Sequence, residues 1–176
     1  VPTVLGEDGQ KLSKRHGAVS MMQYEELGYL PDALVNFLAR LGWGHGDDEV
    51  FARDQFVAWF DLDAINPAPS RFNADKLKWL NQEHMKLLPA DELGRRLAPY
   101  LLRAGLDPAA GPQPGAVGVL VRDRVATLAE MADAAHYFYA VPGASAERLA
   151  EHVNPANRPA LDDLCAEFVA LPWTKE

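Results

Sequence analysis

The sequence has little cysteine, no long apolar run and no excess of positive charge, and each shortage excludes a class of protein. One cysteine among 176 residues excludes an internal disulfide framework. No apolar stretch approaches the roughly 20 residues of a membrane-spanning helix, so no membrane association is expected. The formal net charge of −8 argues against a general nucleic-acid coat, which is usually basic, although local basic patches stay possible. These features favour a cytoplasmic protein.

Residues with metal-binding side chains are present, but not in metal-binding patterns. Glu83, His84 and His152 lack the spacing of a zinc site, so no metal site is predicted. The acidic run Asp47–Glu49 is interpreted as a solvated loop or as charge at the start of a helix. Cys165 lies in an amphipathic stretch, which predicts a small buried side chain rather than a reactive thiol.

The apolar pattern predicts a mostly α fold with a short β-hairpin at the N-terminus. Asp8 and Gly9 form the predicted hairpin turn, because glycine tolerates positive φ. Ser20 and Gly28 are expected to begin and end a first helix, and Pro31 to open a second. Apolar residues at helical spacing predict the buried faces of the second helix and of the short helix after it: Ala33, Leu34, Phe37, Leu38, Leu41, Phe56, Val57 and Phe60.

A proline-containing tract, "NPAPSRF", interrupts the helical pattern, because its two prolines lack backbone N–H donors. Asn73 then caps a helix whose buried side contains Leu77, Leu80 and Met85. The stretch "DPAAGPQPGAVG" is rich in Pro and Gly and is the best linker candidate in the chain. Four amphipathic helical segments are predicted beyond it.

Near the N-terminus, "EDGQKLSKRHG" places four basic side chains in an otherwise acidic chain. The two lysines and the serine of this loop suit phosphate, because ammonium groups are compact charges that follow phosphate oxygens as these move. Such a loop would bind the charge that builds on a leaving pyrophosphate. The alternative from composition alone is a solvated surface loop.

The segment "KLSKRHG", Lys11–Gly17, resembles the second signature loop of class I aminoacyl-tRNA synthetases, Lys-Met-Ser-Lys-Ser. Leu12 replaces Met, and Arg15 replaces the last Ser, a variant typical of the glutamyl and glutaminyl branch. "AVSMMQYEELGYLPDALVNFLARLGWGHGDDEVF", "FNADKLKWLNQEHM" and, more loosely, "TLAEMADAAHYFY" are similar to the bacterial glutamyl-tRNA synthetase family. The resemblance covers essentially the whole chain.

The resemblance implies activation of glutamate by ATP, with Mg²⁺, and transfer of glutamate to tRNA(Glu) by a monomeric parent enzyme. It implies that Lys14 contacts ATP phosphates, that Lys11 organises the loop, and that Ser13 and Arg15 complete the ATP-binding residues. Lys11 and Lys14 are the candidate catalytic residues.

The family's first signature, His-x-Gly-His, does not occur in the sequence; His45 in "GWGHGDD" is interpreted as part of an inter-helix turn. The first residue is Val, in a predicted strand, so we expect a piece of a longer protein that is inactive alone. The resemblance implies three regions: residues 1–20, the tail of the catalytic domain; residues 21–107, a helical stem-contact region; and residues 108–176, the first part of a truncated anticodon-binding region.

Candidate RNA contacts are Arg71, Lys76 and Lys78, on or beside one predicted helix, with Trp79 and Asn81 nearby. Lysine and arginine meet backbone phosphates, whereas sequence is read from bases. The alternative is a solvated cationic face with Trp79 in the core. The weaker candidates are Arg95, Arg96, Arg103, Arg122 and Arg124 as phosphate contacts, and His136, Tyr137, Phe138 and Tyr139 as an aromatic cluster that stacks on bases or belongs to the core.

Two other functions remain as alternatives: a non-catalytic tRNA-binding or assembly module, and a related class I ligase. A glutaminyl enzyme is disfavoured because its C-terminal part would be β-barrels rather than helices. A shortened relative that modifies a tRNA base is disfavoured because it lacks a helical extension. Whether the parent charges one glutamate tRNA or also a glutamine tRNA stays open.

Overall fold

The computed structural model describes residues 2–6, 8–13, 20–140, 143 and 145–172. Lys14 and Arg15 lie outside these residues. The described chain divides into two compact units, Val1–Ala140 and Val141–Glu176.

The first unit is helical, with a two-stranded parallel sheet, which confirms the predicted fold class. Its elements in chain order are β1 (Val4–Leu5), α1 (Met21–Glu26), α2 (Pro31–Arg40), α3 (Arg53–Trp59), β2 (Ser70–Arg71), α4 (Ala74–Leu87), α5 (Ala90–Arg103), α6 (Pro114–Val121), a 3₁₀ helix (Arg122–Arg124), α7 (Leu128–Ala134) and α8 (His136–Tyr139).

The N-terminal hairpin is present in shortened form. Leu5 and Lys11 form a single antiparallel bridge, and Gly9 takes the positive φ that the turn requires. The sheet itself is parallel and non-local: β1 pairs with β2, with Val4 opposite Ser70 and Leu5 opposite Arg71. The sequence did not predict this pairing, because the partner strand is too short to carry an alternating pattern.

The helix boundaries follow the predicted caps. Gln23 accepts the Ser20 backbone N–H through its side chain at 2.8 Å, and Gly28 ends the first helix at a φ of +86°. Asn73 caps α4 by accepting the Lys76 N–H at 2.9 Å. Within the predicted linker, residues from Pro114 onward belong to α6, since Pro at the first helical position is favourable.

Two apolar clusters form the core of this unit. The smaller joins α2 to α4 through Leu34, Phe37, Leu77 and Leu80, with Tyr29. The larger is built mainly from α4 to α7, and the side chains that are 0% exposed there are Ala33, Met85, Leu93, Leu97, Leu101, Met131 and Ala135. The predicted buried side of α4 is therefore confirmed.

Four apolar residues expected in the core lie at the surface instead. Leu38 on α2 is 51% exposed, Val57 on α3 is 72% exposed, and Phe60, directly after α3, is 40% exposed. Cys165 is also exposed, so the prediction of a buried cysteine was wrong. Helical spacing identifies an apolar face, but burial also needs an opposing element.

The boundary predicted after residue 107 concerns functional regions and stays a prediction. It falls in the loop between α5 and α6, two helices that pack closely at Gly94 and Gly115. A Cβ on Gly115 would lie 2.3 Å from the Ala90 carbonyl oxygen.

The second unit contains α9 (Ala146–His152) and α10 (Arg158–Ala170), both predicted as helices. Ser145 caps α9 by accepting the Arg148 N–H at 3.2 Å. No helix in the described ranges is both long and apolar enough to cross a membrane.

Candidate functional site

The base of the cationic loop is held by backbone hydrogen bonds. Leu12 donates its N–H to the Val4 carbonyl at 2.8 Å, and Gly6 donates to the Gln10 carbonyl at 2.8 Å. The Asp8 carboxylate accepts the Gln10 N–H at 3.0 Å, which closes the turn. Lys11 and Ser13 are exposed where the loop leaves this base. The residues predicted to contact phosphate therefore adjoin a segment whose backbone is held by hydrogen bonds.

Backbone hydrogen bonds also join the N-terminal segment to β2, the strand before α4. Ser70 donates its N–H to the Thr3 carbonyl at 3.1 Å, and Phe72 donates to the Leu5 carbonyl at 2.8 Å. Arg71, between them, is exposed, and its Nη2 lies 3.9 Å from where a Cβ on Gly9 would stand. The guanidinium of a predicted RNA contact thus lies beside the turn of the predicted ATP loop.

Lys76 lies in the first turns of α4 and contacts two groups. Its Nζ is 2.5 Å from Glu49 Oε2 and 4.0 Å from the centroid of the Trp79 ring. The other oxygen of Glu49, Oε1, lies 3.8 Å from Arg40 Nη2. The hydrogen bond from Lys76 is the main cause that lowers the pKa of the Glu49 carboxyl, and the charges of Lys76 and Arg40 add to it. Glu49, which was expected to be solvated, forms ion pairs with both Lys76 and Arg40.

Lys78 and Trp79 both face solvent. Lys78 Nζ is 3.5 Å from Glu130 Oε1, and both side chains are about half exposed. Glu130 is held in turn, because its other oxygen accepts the Ala126 N–H at 2.7 Å. Trp79 is 38% exposed, which excludes the alternative that places it in the core.

Asn81 does not belong to this surface. It is 0% exposed, accepts the Leu30 N–H at 2.7 Å and donates to the Ala126 carbonyl at 2.6 Å. These two bonds tie α4 to the starts of α2 and α7, so Asn81 has a structural role. Sequence reasoning missed this role, because both partners are backbone groups about 50 positions away.

His84 is likewise buried, and its Nε2 lies 2.9 Å from Asn36 Oδ1. Phe51 donates its N–H to the same oxygen at 3.0 Å, while Asn36 Nδ2 donates to the Glu49 carbonyl at 3.1 Å. Asn36 therefore presents an acceptor to His84, whose Nε2 carries the proton. Burial lowers the pKa of His84, against a smaller opposing effect of Asp32.

Some of the weaker candidates for RNA contact are side chains with partners in the protein, and others pack on the core. Arg95 and Arg96 both pair with Glu92, Arg103 lies over the Tyr100 ring at 4.8 Å, and Arg122 donates to the Lys86 carbonyl at 3.2 Å. Of the aromatic cluster, Tyr137 is 62% exposed, whereas Phe138 and Tyr139 pack on the core. Within the described residues, no group of three or more His, Cys, Asp and Glu side chains is placed to hold a metal ion.

Comparison with known proteins identifies the class first. Residues 1–79, which include the loop and the start of α4, match the family described as tRNA synthetases class I (E and Q), catalytic domain. This part of the chain is thus similar to the catalytic domain of class I aminoacyl-tRNA synthetases.

Within that class the sequence relatives are bacterial glutamate–tRNA ligases, and the predicted resemblance is confirmed. The chain is 52% identical over 172 residues to the glutamate–tRNA ligase of Thiobacillus denitrificans, covering 98% of the chain and 36% of that ligase. It is 49% identical over 179 residues to that of Burkholderia multivorans, covering 100% of the chain and 38% of the relative. The chain spans little more than a third of the length of these relatives.

Two solved structures share the fold. The glutamate tRNA ligase of Elizabethkingia meningosepticum, crystallised with its amino acid, has a TM-score of 0.71 at 23% identity, covering 96% of this chain and 38% of its own. The glutamate–tRNA synthetase of Elizabethkingia anophelis has a TM-score of 0.67, covering 90% and 36%.

Proposed function

We propose that this chain forms part of a cytoplasmic, monomeric glutamate–tRNA ligase and carries its ATP-phosphate loop and a tRNA-contacting surface. The observation that carries this is the 52% identity to a glutamate–tRNA ligase over 98% of the chain. The geometry supports it, because the base of the Lys11–Arg15 loop and the entry to α4 share one set of backbone hydrogen bonds.

In the proposed reaction the glutamate carboxylate attacks the α-phosphate of ATP, and pyrophosphate leaves. ATP enters with Mg²⁺ as a substrate complex. Lys14 contacts the phosphates and Lys11 organises the loop, with Ser13 and Arg15 beside them. Because charge grows on the leaving pyrophosphate, these cations bind the transition state more tightly than ATP itself. A ribose hydroxyl at the 3′ end of the tRNA then attacks the carbonyl carbon of glutamyl-adenylate, which forms the ester and releases AMP.

The tRNA-contacting surface consists of Arg71, Lys76, Lys78 and Trp79. Arg71 and Lys78 are exposed and Lys76 is partly exposed, which suits phosphate contact, and the exposed Trp79 ring offers a stacking face. The proposed regions are residues 1–20 for the end of the catalytic domain, 21–107 for stem contact and 108–176 for the first part of the anticodon-binding region.

Adenylate formation by the full-length ligase tests the role of Lys14. A charge-assisted contact made mainly in the transition state is worth about 2–4 kcal/mol, so Lys14→Ala should slow ATP–pyrophosphate exchange by about two to three orders of magnitude. Because the contact is weaker in the ground state, ATP binding should change much less.

Lys86→Ala is the matched control, since Lys86 is a surface lysine whose Nζ pairs with Glu83 Oε1 at 2.8 Å; it should keep normal exchange. The 176-residue chain alone should show no exchange, because orientation of both substrates supplies much of the rate. Normal exchange by Lys14→Ala would contradict the role of Lys14, and exchange by the chain alone would contradict the proposed division of the enzyme.

A further inference from the structure

A small cationic cavity lies between α2, the loop that follows it, and the start of α4. Its volume is about 170 Å³, and its charged lining consists of Arg40, Arg71, Lys76 and a single carboxylate, Glu49. Three cations against one anion leave this lining with a formal charge of +2.

Glu49 is the single anionic side chain in this lining. Its two oxygens face two different cations, Oε2 at 2.5 Å from Lys76 Nζ and Oε1 at 3.8 Å from Arg40 Nη2. A phosphodiester likewise presents two charged oxygens from one centre. Among the described residues, no carboxylate forms an ion pair with Arg71.

The Glu49 backbone and the Lys76 side chain each make a contact that does not involve the Glu49 carboxylate. The backbone of Glu49 is held at its carbonyl by Asn36 Nδ2 at 3.1 Å, while its side chain is 44% exposed and can rotate toward water. Lys76 stays supported by the Trp79 ring at 4.0 Å. Little ordering cost therefore remains for an incoming phosphate.

We propose that Arg40, Arg71 and Lys76 form a binding site for one RNA backbone phosphate, and that the Glu49 carboxylate is an internal competitor for that site. The proposal rests on the tRNA-contacting function proposed above. Glu49 lowers the affinity for RNA because the phosphate must displace it or bear its repulsion. Such a competitor favours release of the RNA product and weakens binding to RNA in general.

Fluorescence anisotropy titration of labelled tRNA(Glu) with the 176-residue chain tests the proposal. Removing a like charge beside the phosphate should make Glu49→Gln bind about three- to tenfold more tightly than the parent chain. Asp47→Asn is the matched control: it makes the same charge change two positions away, in the same exposed loop, without touching Lys76. It should alter the affinity less than about twofold, because surface charges are screened.

A double variant separates local competition from general charge. In the Lys76→Gln background, Glu49→Gln should lose most of its gain, whereas Lys76→Arg, which keeps the charge, should preserve it. Equal affinities of Glu49→Gln and Asp47→Asn would overturn the competitor role while leaving RNA binding intact. Absence of binding by both the parent chain and Glu49→Gln would overturn the RNA-contacting function together with the site. Circular dichroism melts of each variant verify that all are folded.

Discussion

At the scale of single residues, the buried polar side chains of the first unit connect distant segments of the chain. Asn36, Asn81 and His84 are all buried, and their side-chain hydrogen bonds join segments distant in the chain. Asn36 fixes the backbone of Glu49 and of Phe51, and the Glu49 carboxylate accepts a hydrogen bond from Lys76. A buried polar group left without its partner costs about 1–3 kcal/mol, so this network constrains the site strongly.

His84 should make the stability of the first unit depend on pH. Its pKa in the folded chain lies below the ordinary value of 6.5, because burial disfavours the imidazolium. The unfolded state therefore binds the proton more readily. The stabilising contribution is complete above about pH 6.5 and is lost as the pH falls toward the lowered folded-state value.

Urea unfolding at pH 7 and pH 5 measures this effect. The free energy of unfolding should fall between the two pH values, and His84→Gln should show a smaller fall than the parent chain. His152→Gln is the control, because His152 is 74% exposed. An identical fall in the parent chain and in His84→Gln would contradict the assignment.

At the scale of elements, close approach of backbone to backbone decides which helices can meet. Gly94 on α5 faces Gly115 on α6, where an added Cβ would lie 2.6 Å from the Gly115 nitrogen. Gly28 ends α1 against the start of α7, and its carbonyl accepts the Leu128 N–H at 3.0 Å. Neither contact has room for a side chain, so these glycines set the packing distance.

Gly28→Ala should destabilise the first unit by about 2–4 kcal/mol, from strain at positive φ together with overpacking. The added Cβ would stand 2.5 Å from the Ala129 nitrogen and 2.7 Å from the Leu128 nitrogen, and backbone atoms cannot move aside cheaply. The midpoint of urea unfolding is the measurement.

Gly105→Ala separates the two causes. Gly105 has a similar φ of +76°, but nothing lies within 4 Å of its Cβ position. Only the backbone strain applies, so a cost of about 1–2 kcal/mol is expected. Equal costs at both glycines would show that the contact with α7 contributes nothing.

At the scale of the whole chain, the first residues are bound to the middle of the sequence. β1 pairs with β2, so the loop that begins at Lys11 and the helix that begins at Ala74 belong to one compact unit, Val1–Ala140. Within the second unit, Leu149 and Phe168 are about half exposed. All of the candidate ATP-binding and RNA-binding residues belong to the first unit.

The chain should bind tRNA weakly and with little selectivity. Lys76 and Lys78 must exchange Glu49 and Glu130 for phosphates, and the net charge of −8 adds repulsion. With one phosphate at the site of Arg40, Arg71 and Lys76 and a second at Lys78, about two phosphate contacts give a slope of log affinity against log salt near −1.5 to −2. Anisotropy titrations at several salt concentrations, with tRNA(Glu) and an unrelated tRNA, measure both properties. Tight, salt-insensitive and selective binding would contradict this prediction and indicate base-specific contacts.

The sequence by itself determined the helical class, the cap at Asn73, the turn at Gly9 and the resemblance that the relatives confirm, because each depends on neighbouring residues or on a contiguous motif. Only the tertiary structure decided which side chains oppose one another. It set the parallel pairing of β1 with β2, exposed Leu38, Val57 and Cys165, and buried Asn81. It also placed Glu49 between Arg40 and Lys76. Periodicity reports the face of a helix, but the partner across that face comes from a distant segment, which no local pattern encodes.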